Sequence, residues 1–126
     1  MATPPTNTDS IREMQAYVNA WAVEKGWWQD FERTQGTIAF RALISEKLLL
    51  ITSEIVEALE EVRNGHSYKD VYEHDGKPEG FPVEVADGFI RILDLCGYLG
   101  IDLSAETARK MAYNETRAFR HGGKEA

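Results

Sequence analysis

One cysteine, Cys96, is too few for a disulfide within the chain. It sits in the apolar run "FIRILDLCGYLG", where a small buried hydrophobe is the expected role rather than a reactive thiol. No apolar stretch approaches the roughly 20 residues that a membrane span needs. The opening "MATPPTNTDS" has neither the basic start nor the apolar centre of a leader peptide, so a cytoplasmic location without a membrane partner is expected. Positive charge is scarce too. Fourteen Lys and Arg face 21 Asp and Glu, a formal net charge of −7. A nucleic-acid polymer or an anionic membrane surface recruits basic residues and is a poor match for that balance. A small phosphate ligand stays open, provided that a cation mediates the contact. There is no internal repeat and no low-complexity segment.

What is present suffices for one folded unit. At 126 residues with 43% hydrophobic content, a single domain is expected, spanning 11–121 between a polar N-terminal tail (1–10) and a C-terminal tail (122–126). Ser10 followed by Glu13 has the form of a capping box and opens a helix near Ile11. Ile11, Met14, Val18 and Trp21 then share one helical face, and Gly26 stops it. "WWQDFERTQGT" reads as an irregular connection. A second helix runs from about Ile38 to Arg63, with Ile44, Leu48, Ile51, Ile55, Ala58 and Val62 as its apolar stripe. The segment "HSYKDVYEHDGKPEGF" is a long loop of the kind that carries binding function.

Pro82 suits the first turn of a third helix that ends near Leu99. Asp102 or Ser104 caps a fourth that reaches about His121, where "GG" ends it. No segment alternates convincingly with period two, so no substantial sheet is expected. The fold class is all-α, a four-helix-type bundle. Most of the third helix's circumference is apolar, except for one line of Glu84, Asp87, Arg91, Asp94 and Tyr98. A small bundle rarely buries a whole helix within one chain, so a homo-oligomer is expected, a homodimer or a dimer-based tetramer.

Residues three apart are neighbours on a helix. Glu54 and Glu57 therefore share a side of the second helix, and Glu84 and Asp87 share a side of the third. Two such pairs on adjacent helices can converge, and four unpaired carboxylates at close range repel one another strongly. Mg²⁺, with Mn²⁺ as a substitute, relieves that repulsion, because hard divalent cations prefer carboxylate oxygen. Glu84 and Asp87 also lie near a helix N-terminus, which favours their ionised forms. The alternative is an ion-pair ladder: Arg91 is four residues from Asp87 and three from Asp94, and Lys47 lies seven before Glu54. A di-iron site is set aside, since none of His66, His74 and His121 stands three residues after a Glu.

In "ARKMAYNETRAFRHGGK", Lys110, Asn114 and Arg117 recur at steps of four and three and could hold phosphate oxygens. Arg117, Arg120 and His121 also suit the negative end of a helix dipole, but Lys110 is too far from that end. With these residues in view, the chain resembles the MazG-like all-α nucleoside triphosphate pyrophosphohydrolases. The resemblance is carried by Glu-x-x-Glu at Glu54 and Glu57, Glu-x-x-Asp at Glu84 and Asp87, and the Lys-x-x-x-Asn-x-x-Arg segment behind them. It covers the chain from about Trp21 onward, and the separation of the two acidic motifs falls near the upper end of what the family allows.

The resemblance implies an oligomeric helical enzyme that cleaves a (deoxy)nucleoside triphosphate to the monophosphate and pyrophosphate. Glu54, Glu57, Glu84 and Asp87 would hold Mg²⁺ and carry catalysis, with Glu61 one turn further as an added ligand or water-positioning group. Lys110, Asn114 and Arg117 become phosphate contacts, with Lys47 as a further candidate. Trp27, Trp28, Phe31 and Tyr98 are the aromatic residues available to stack on a base, although core packing is the commoner aromatic role. Two other readings remain: a non-catalytic oligomeric helical module with its acids paired internally, and the same scaffold acting on another nucleotide such as a phosphoribosyl-nucleotide.

Overall fold

A helix leaves its first N–H groups without partners, and three of the long helices here open on a side chain that accepts one. In the computed structural model, which describes residues 10–117, Ser10 Oγ accepts the Glu13 N–H and opens α1, Ile11–Glu24. α2, Gln29–Glu32, is a single turn. Thr37 accepts the Phe40 N–H and opens α3, Ile38–Arg63. Pro82 lies in the first turn of α4, Phe81–Leu99, which Gly100 ends in the left-handed conformation. Asp102 accepts the Ala105 N–H and opens α5, Leu103–Glu115. Between α3 and α4, β1 (Tyr72–His74) and β2 (Lys77–Glu79) pair antiparallel, with Tyr72 opposite Glu79 and His74 opposite Lys77.

The described residues are mostly helical, as expected for the all-α class. Three details differ from expectation. The aromatic connection contains the extra turn α2, and the long loop contains the hairpin, whose strands are too short for period two to register. Its local signal was the Asp75-Gly76 pair: both residues have positive φ, 53° and 78°, as a two-residue hairpin turn requires. The fourth long helix also ends early. α5 stops at Glu115, where the Thr116 hydroxyl bonds the Tyr113 carbonyl at 2.6 Å. The expected continuation to His121 and both tails lie outside the described residues, apart from Ser10.

α4 is central, with α3 against one side and α1 against another, while α5 rests on α1. Gly88 and Gly97 make the two approaches possible. They are nine residues apart, about half a turn around the helix after whole turns are removed. A Cβ on Gly88 would meet Ile55 and Glu54 of α3, and one on Gly97 would meet Asn19 of α1. Ala22, Trp28, Phe31 and Leu95 form the buried core, with Phe40, Ile44, Ile51 and Tyr98 packed against it.

The buried side of α3 differs from the stripe read in the sequence. Leu48, Ile55 and Val62 are about half exposed. The line turned inward is Phe40, Ile44, Lys47, Ile51, Glu54, Ala58 and Glu61, at steps of four and three. On α4 the polar line Glu84, Asp87, Arg91, Asp94 and Tyr98 is likewise buried or half-buried, whereas Val85, Phe89 and Ile90 are exposed. The two helices therefore meet along a seam that carries most of their charge.

Candidate metal centre

At one end of that seam Gly88 lets α4 lie close to α3 beside Glu54, with Ile55 Cδ1 only 3.3 Å from where its Cβ would be. Glu54 and Glu84 are buried at 8% and 7% exposure, and Asp87 is half-buried. One carboxylate oxygen from each of Glu54, Glu84 and Asp87 lies within 4.8 Å of the others. Glu57, one turn along α3 and exposed, lies close enough to Glu84 to raise its pKa. Glu54, Glu84 and Asp87 from two helices are thus brought together, with Glu57 beside Glu84.

Their electrostatics are unfavourable in isolation. Burial pushes the Glu84 carboxyl up, and the neighbouring Glu57, Asp87 and Glu54 carboxylates carry it further, to about 7. Burial and the Glu54 charge also raise Asp87, against the pull of Arg91 and Lys77. Arg91 Nε donates to Glu54 Oε1 at 2.9 Å. One guanidinium and one ammonium against four carboxylates leave a formal charge of −2 around this small volume.

The donor set suits a hard divalent cation. Two oxygens on one Mg²⁺ are at most about 4.2 Å apart, so the Glu54–Glu84–Asp87 trio needs only a slight contraction. Burial and the neighbouring carboxylates favour the protonated form of Glu84, and a bound cation would favour the ionised form instead.

Two small cavities flank the acids. One of about 280 Å³ is lined by Trp27, Glu54, Glu57, Lys77, Asp87, Ile90 and Arg91. The other, about 270 Å³, is lined by Glu57, Glu60, Glu61, Lys77, Glu79 and Glu84. A larger groove of about 440 Å³ runs along Asp30, Arg33, Leu43 and Glu46. It shares no lining residue with the acids and gathers no comparable group of ligands.

Scans against protein-family models, curated proteins and solved structures find no match. The site must be read from its own chemistry.

The other expected site residues divide into those at the acids and those elsewhere. Trp27, 43% exposed, lines the first cavity. Trp28 and Phe31 are buried at 1% and 3% and cannot serve as a base platform. Trp28 stacks on Tyr98 with centroids 3.8 Å apart, and the Tyr98 hydroxyl is held by Gln35. These three aromatics are core residues. Lys47 lies over the Trp28 ring at 4.4 Å, and burial pushes its ammonium below the usual lysine value, opposed by the Asp94 charge. Glu61 accepts the Tyr72 hydroxyl at 2.8 and 2.9 Å, so it anchors the hairpin as well as lining the second cavity.

Lys110, Asn114 and Arg117 are not brought to the acids within one chain. α5 follows the far end of α4, about 18 Å of helix beyond Asp87, and none of its residues is buried. Lys110 lies over Tyr113 instead, and Arg117 falls beyond the helix end, off the expected shared face. Sequence reasoning missed two groups: Asp94 as a buried acceptor, and Lys77, which the unrecognised hairpin carries to the site.

Proposed function

We propose that the chain is a Mg²⁺-dependent nucleotide pyrophosphohydrolase, cleaving a (deoxy)nucleoside triphosphate to the monophosphate and pyrophosphate. The observation that carries this reading is the convergence of Glu54, Glu84 and Asp87 oxygens within 4.8 Å, with Glu57 alongside. These four acids would hold Mg²⁺, or Mn²⁺ in its place. The ion, when bound, supplies charge neutralisation at the phosphates and a lowered pKa for bound water. Glu57 is the most exposed of the four and is placed to accept a proton from solvent. Trp27 and Ile90 give the same cavity an apolar wall on which a flat base can rest. The resemblance of the two acidic motifs to MazG-like enzymes points the same way.

A homodimer or dimer-based tetramer belongs to this proposal. Leu48, Leu49, Ile55, Val56 and Leu59 of α3, with Phe89 and Ile90 of α4, are large apolar residues left 38–68% exposed. Isolated monomers rarely carry such a concentration. A second copy would cover it, and could bring the α5 cations, which lie away from this chain's own acids, towards a partner's.

The test is pyrophosphate release from a panel of nucleoside triphosphates and a phosphoribosyl-nucleotide, with Mg²⁺ and then with chelator. Release that stops on chelation supports the proposal. One observation favours a second reading: the 2.9 Å Arg91–Glu54 bond is the kind of pairing that a non-catalytic helical module would use. No release from any member of the panel would leave that module as the better account.

A further inference from the structure

The hairpin between α3 and α4 presents one cation to the acids. Strand residues alternate faces, so Tyr72, His74, Lys77 and Glu79, paired across the ladder, share one face. That face looks at the helices: Tyr72 bonds Glu61, and Glu79 lines the second cavity with Glu84. Lys77 must therefore point to the same side, and it lines both cavities. Only Glu57 shares that position.

The hairpin is fixed at its open end, away from the Asp75-Gly76 turn. Tyr72 gives its hydroxyl to both Glu61 oxygens at 2.8 and 2.9 Å. Gly80, with φ of 126°, packs so closely on the Asp70 carbonyl that a Cβ could not fit. Lys77, in the ladder pair next to the turn, extends from that fixed base to the two cavities that it lines.

The other cations near the acids are already engaged. Arg91 is bonded to Glu54, and Lys47 is set against Trp28 and Phe31. Lys77 forms no salt bridge with any described residue, although acids surround both cavities that it lines. Its ammonium keeps three donors for a ligand.

We infer that Lys77 binds the polyphosphate of the substrate, taking a terminal phosphate oxygen beside the acids. This rests on the proposed reading of the acids as a nucleotide phosphate site. It adds a residue outside the acidic motifs and outside the basic segment of α5. A lysine that only offsets the acids' charge would act on the cation and not on the anion, and that difference can be measured.

The probes are inorganic triphosphate with Mg²⁺, followed by calorimetry, and Mg²⁺ alone, followed by thermal melting. Wild type is compared with Lys77→Gln and Lys77→Arg, each checked for native circular dichroism; Lys77 is exposed, so neither change disturbs buried packing. Lys77→Gln is expected to weaken triphosphate binding on the order of 10-fold or more, the usual effect of losing a charged hydrogen bond. Lys77→Arg should recover most of it. The Mg²⁺-induced rise in melting temperature should be unchanged or larger in Lys77→Gln, since a competing positive charge has gone.

Triphosphate binding by Lys77→Gln equal to wild type would overturn the inference. So would a loss of Mg²⁺ response matching the loss of triphosphate, or no triphosphate binding by wild type. Lys77-dependent triphosphate binding in a protein that hydrolyses no nucleotide would sink the proposed activity and leave the assignment of Lys77 standing.

Discussion

Asp94 and Glu84 are buried on the same line of α4, at 4% and 7% exposure, yet their surroundings are opposite. Asp94 Oδ1 accepts from Trp28 Nε1 at 2.9 Å and from Asn19 Nδ2 at 3.0 Å. Glu84 faces Glu57, Asp87 and Glu54, which are acceptors like itself, and its carboxyl is raised to about 7. A buried acid with donors is a structural joint, because its lone pairs are satisfied within the fold. A buried acid among acids is an unfinished site, whose ionised form is costly until a cation offsets it. The seam thus has a finished end and an open end, separated by nearly three turns of helix.

The largest expected effect breaks the open end. Glu84→Gln should lower nucleotide hydrolysis on the order of 1,000-fold, as removal of a group acting directly on transition-state charge does. The same variant should make the metal-free protein more stable at pH 8, because the Gln amide can donate to Glu57 and Glu54. A chemical melt beside the activity assay checks both. Loss of activity together with loss of stability would place Glu84 with Asp94 and dissolve the contrast.

Asp94→Ala attacks the finished end. It leaves the Trp28 Nε1–H and the Asn19 amide without their shared acceptor, and should cost about 3 kcal/mol of stability, read from denaturant unfolding. Asp94→Asn keeps one oxygen for Trp28 and should cost less. Both should bind Mg²⁺ with near wild-type affinity in the folded state, since neither alters the Glu54–Glu84–Asp87 group.

This contrast also sets the limit of what the sequence could show. The four long helices, the cap at Ser10 and the pairing of acids three apart on two helices were legible, because helical periodicity and motif spacing are local. The cap of the last helix was legible only as either Asp102 or Ser104. Which side of α3 faces inward was not. The apolar residues at 48, 55 and 62 suggested one stripe, but Lys47, Glu54 and Glu61 lie on the line that turns to α4. A charged residue on a buried line looks solvated to any reading based on hydrophobicity. Trp28, Phe31 and Tyr98 were ambiguous for the converse reason: a base platform and a core cluster need the same side chains, and only burial separates them. Lys77 needed the Asp75-Gly76 turn to be read as a hairpin, and three-residue strands give no periodic signal.

The pH dependence sharpens the comparison with a smaller effect. Glu84 keeps its proton to about 7 in the folded chain and releases it near 4.5 when unfolded. The folded state then binds more protons across that interval, so metal-free stability should fall as pH rises from about 4.5 to about 7. The fall is at most about 3 kcal/mol, on 1.36 kcal/mol per pKa unit. Mg²⁺ should oppose the fall, with a stabilisation that grows over the same interval, since it replaces the proton. Melting curves from pH 4.5 to 8, with and without Mg²⁺, test this. In Glu84→Gln the Glu84 part of the slope should disappear. A wild-type slope that persists unchanged in that variant would assign the titration to other groups.

The smallest effect comes from the two glycines that seat α4. On Gly97 a Cβ would lie 2.6 Å from Asn19 Cβ, an atom fixed to backbone. Gly97→Ala must therefore push α1 from α4, and overpacking of this kind costs about 1–3 kcal/mol, partly offset by the roughly 1 kcal/mol of helix propensity that alanine adds. On Gly88 the nearest atom is the Ile55 Cδ1 methyl at 3.3 Å, the end of a half-exposed side chain that can turn aside. Gly88→Ala should leave stability within about 1 kcal/mol of wild type. It also places a methyl 3.7 Å from Glu54 Cβ, against the helix face that sets the spacing of the acids. A shift of a few tenths of an ångström there should lower hydrolysis several-fold, given that about 1 Å of misplacement can cost 100-fold. Gly97→Ala should instead keep its activity per folded molecule. Opposite outcomes from the same substitution on one helix would locate function at the α3 side of α4 and support at the α1 side. Equal losses of activity from both variants would mean that the acids respond to the packing of the whole helix, and the division of the seam into two ends would fail.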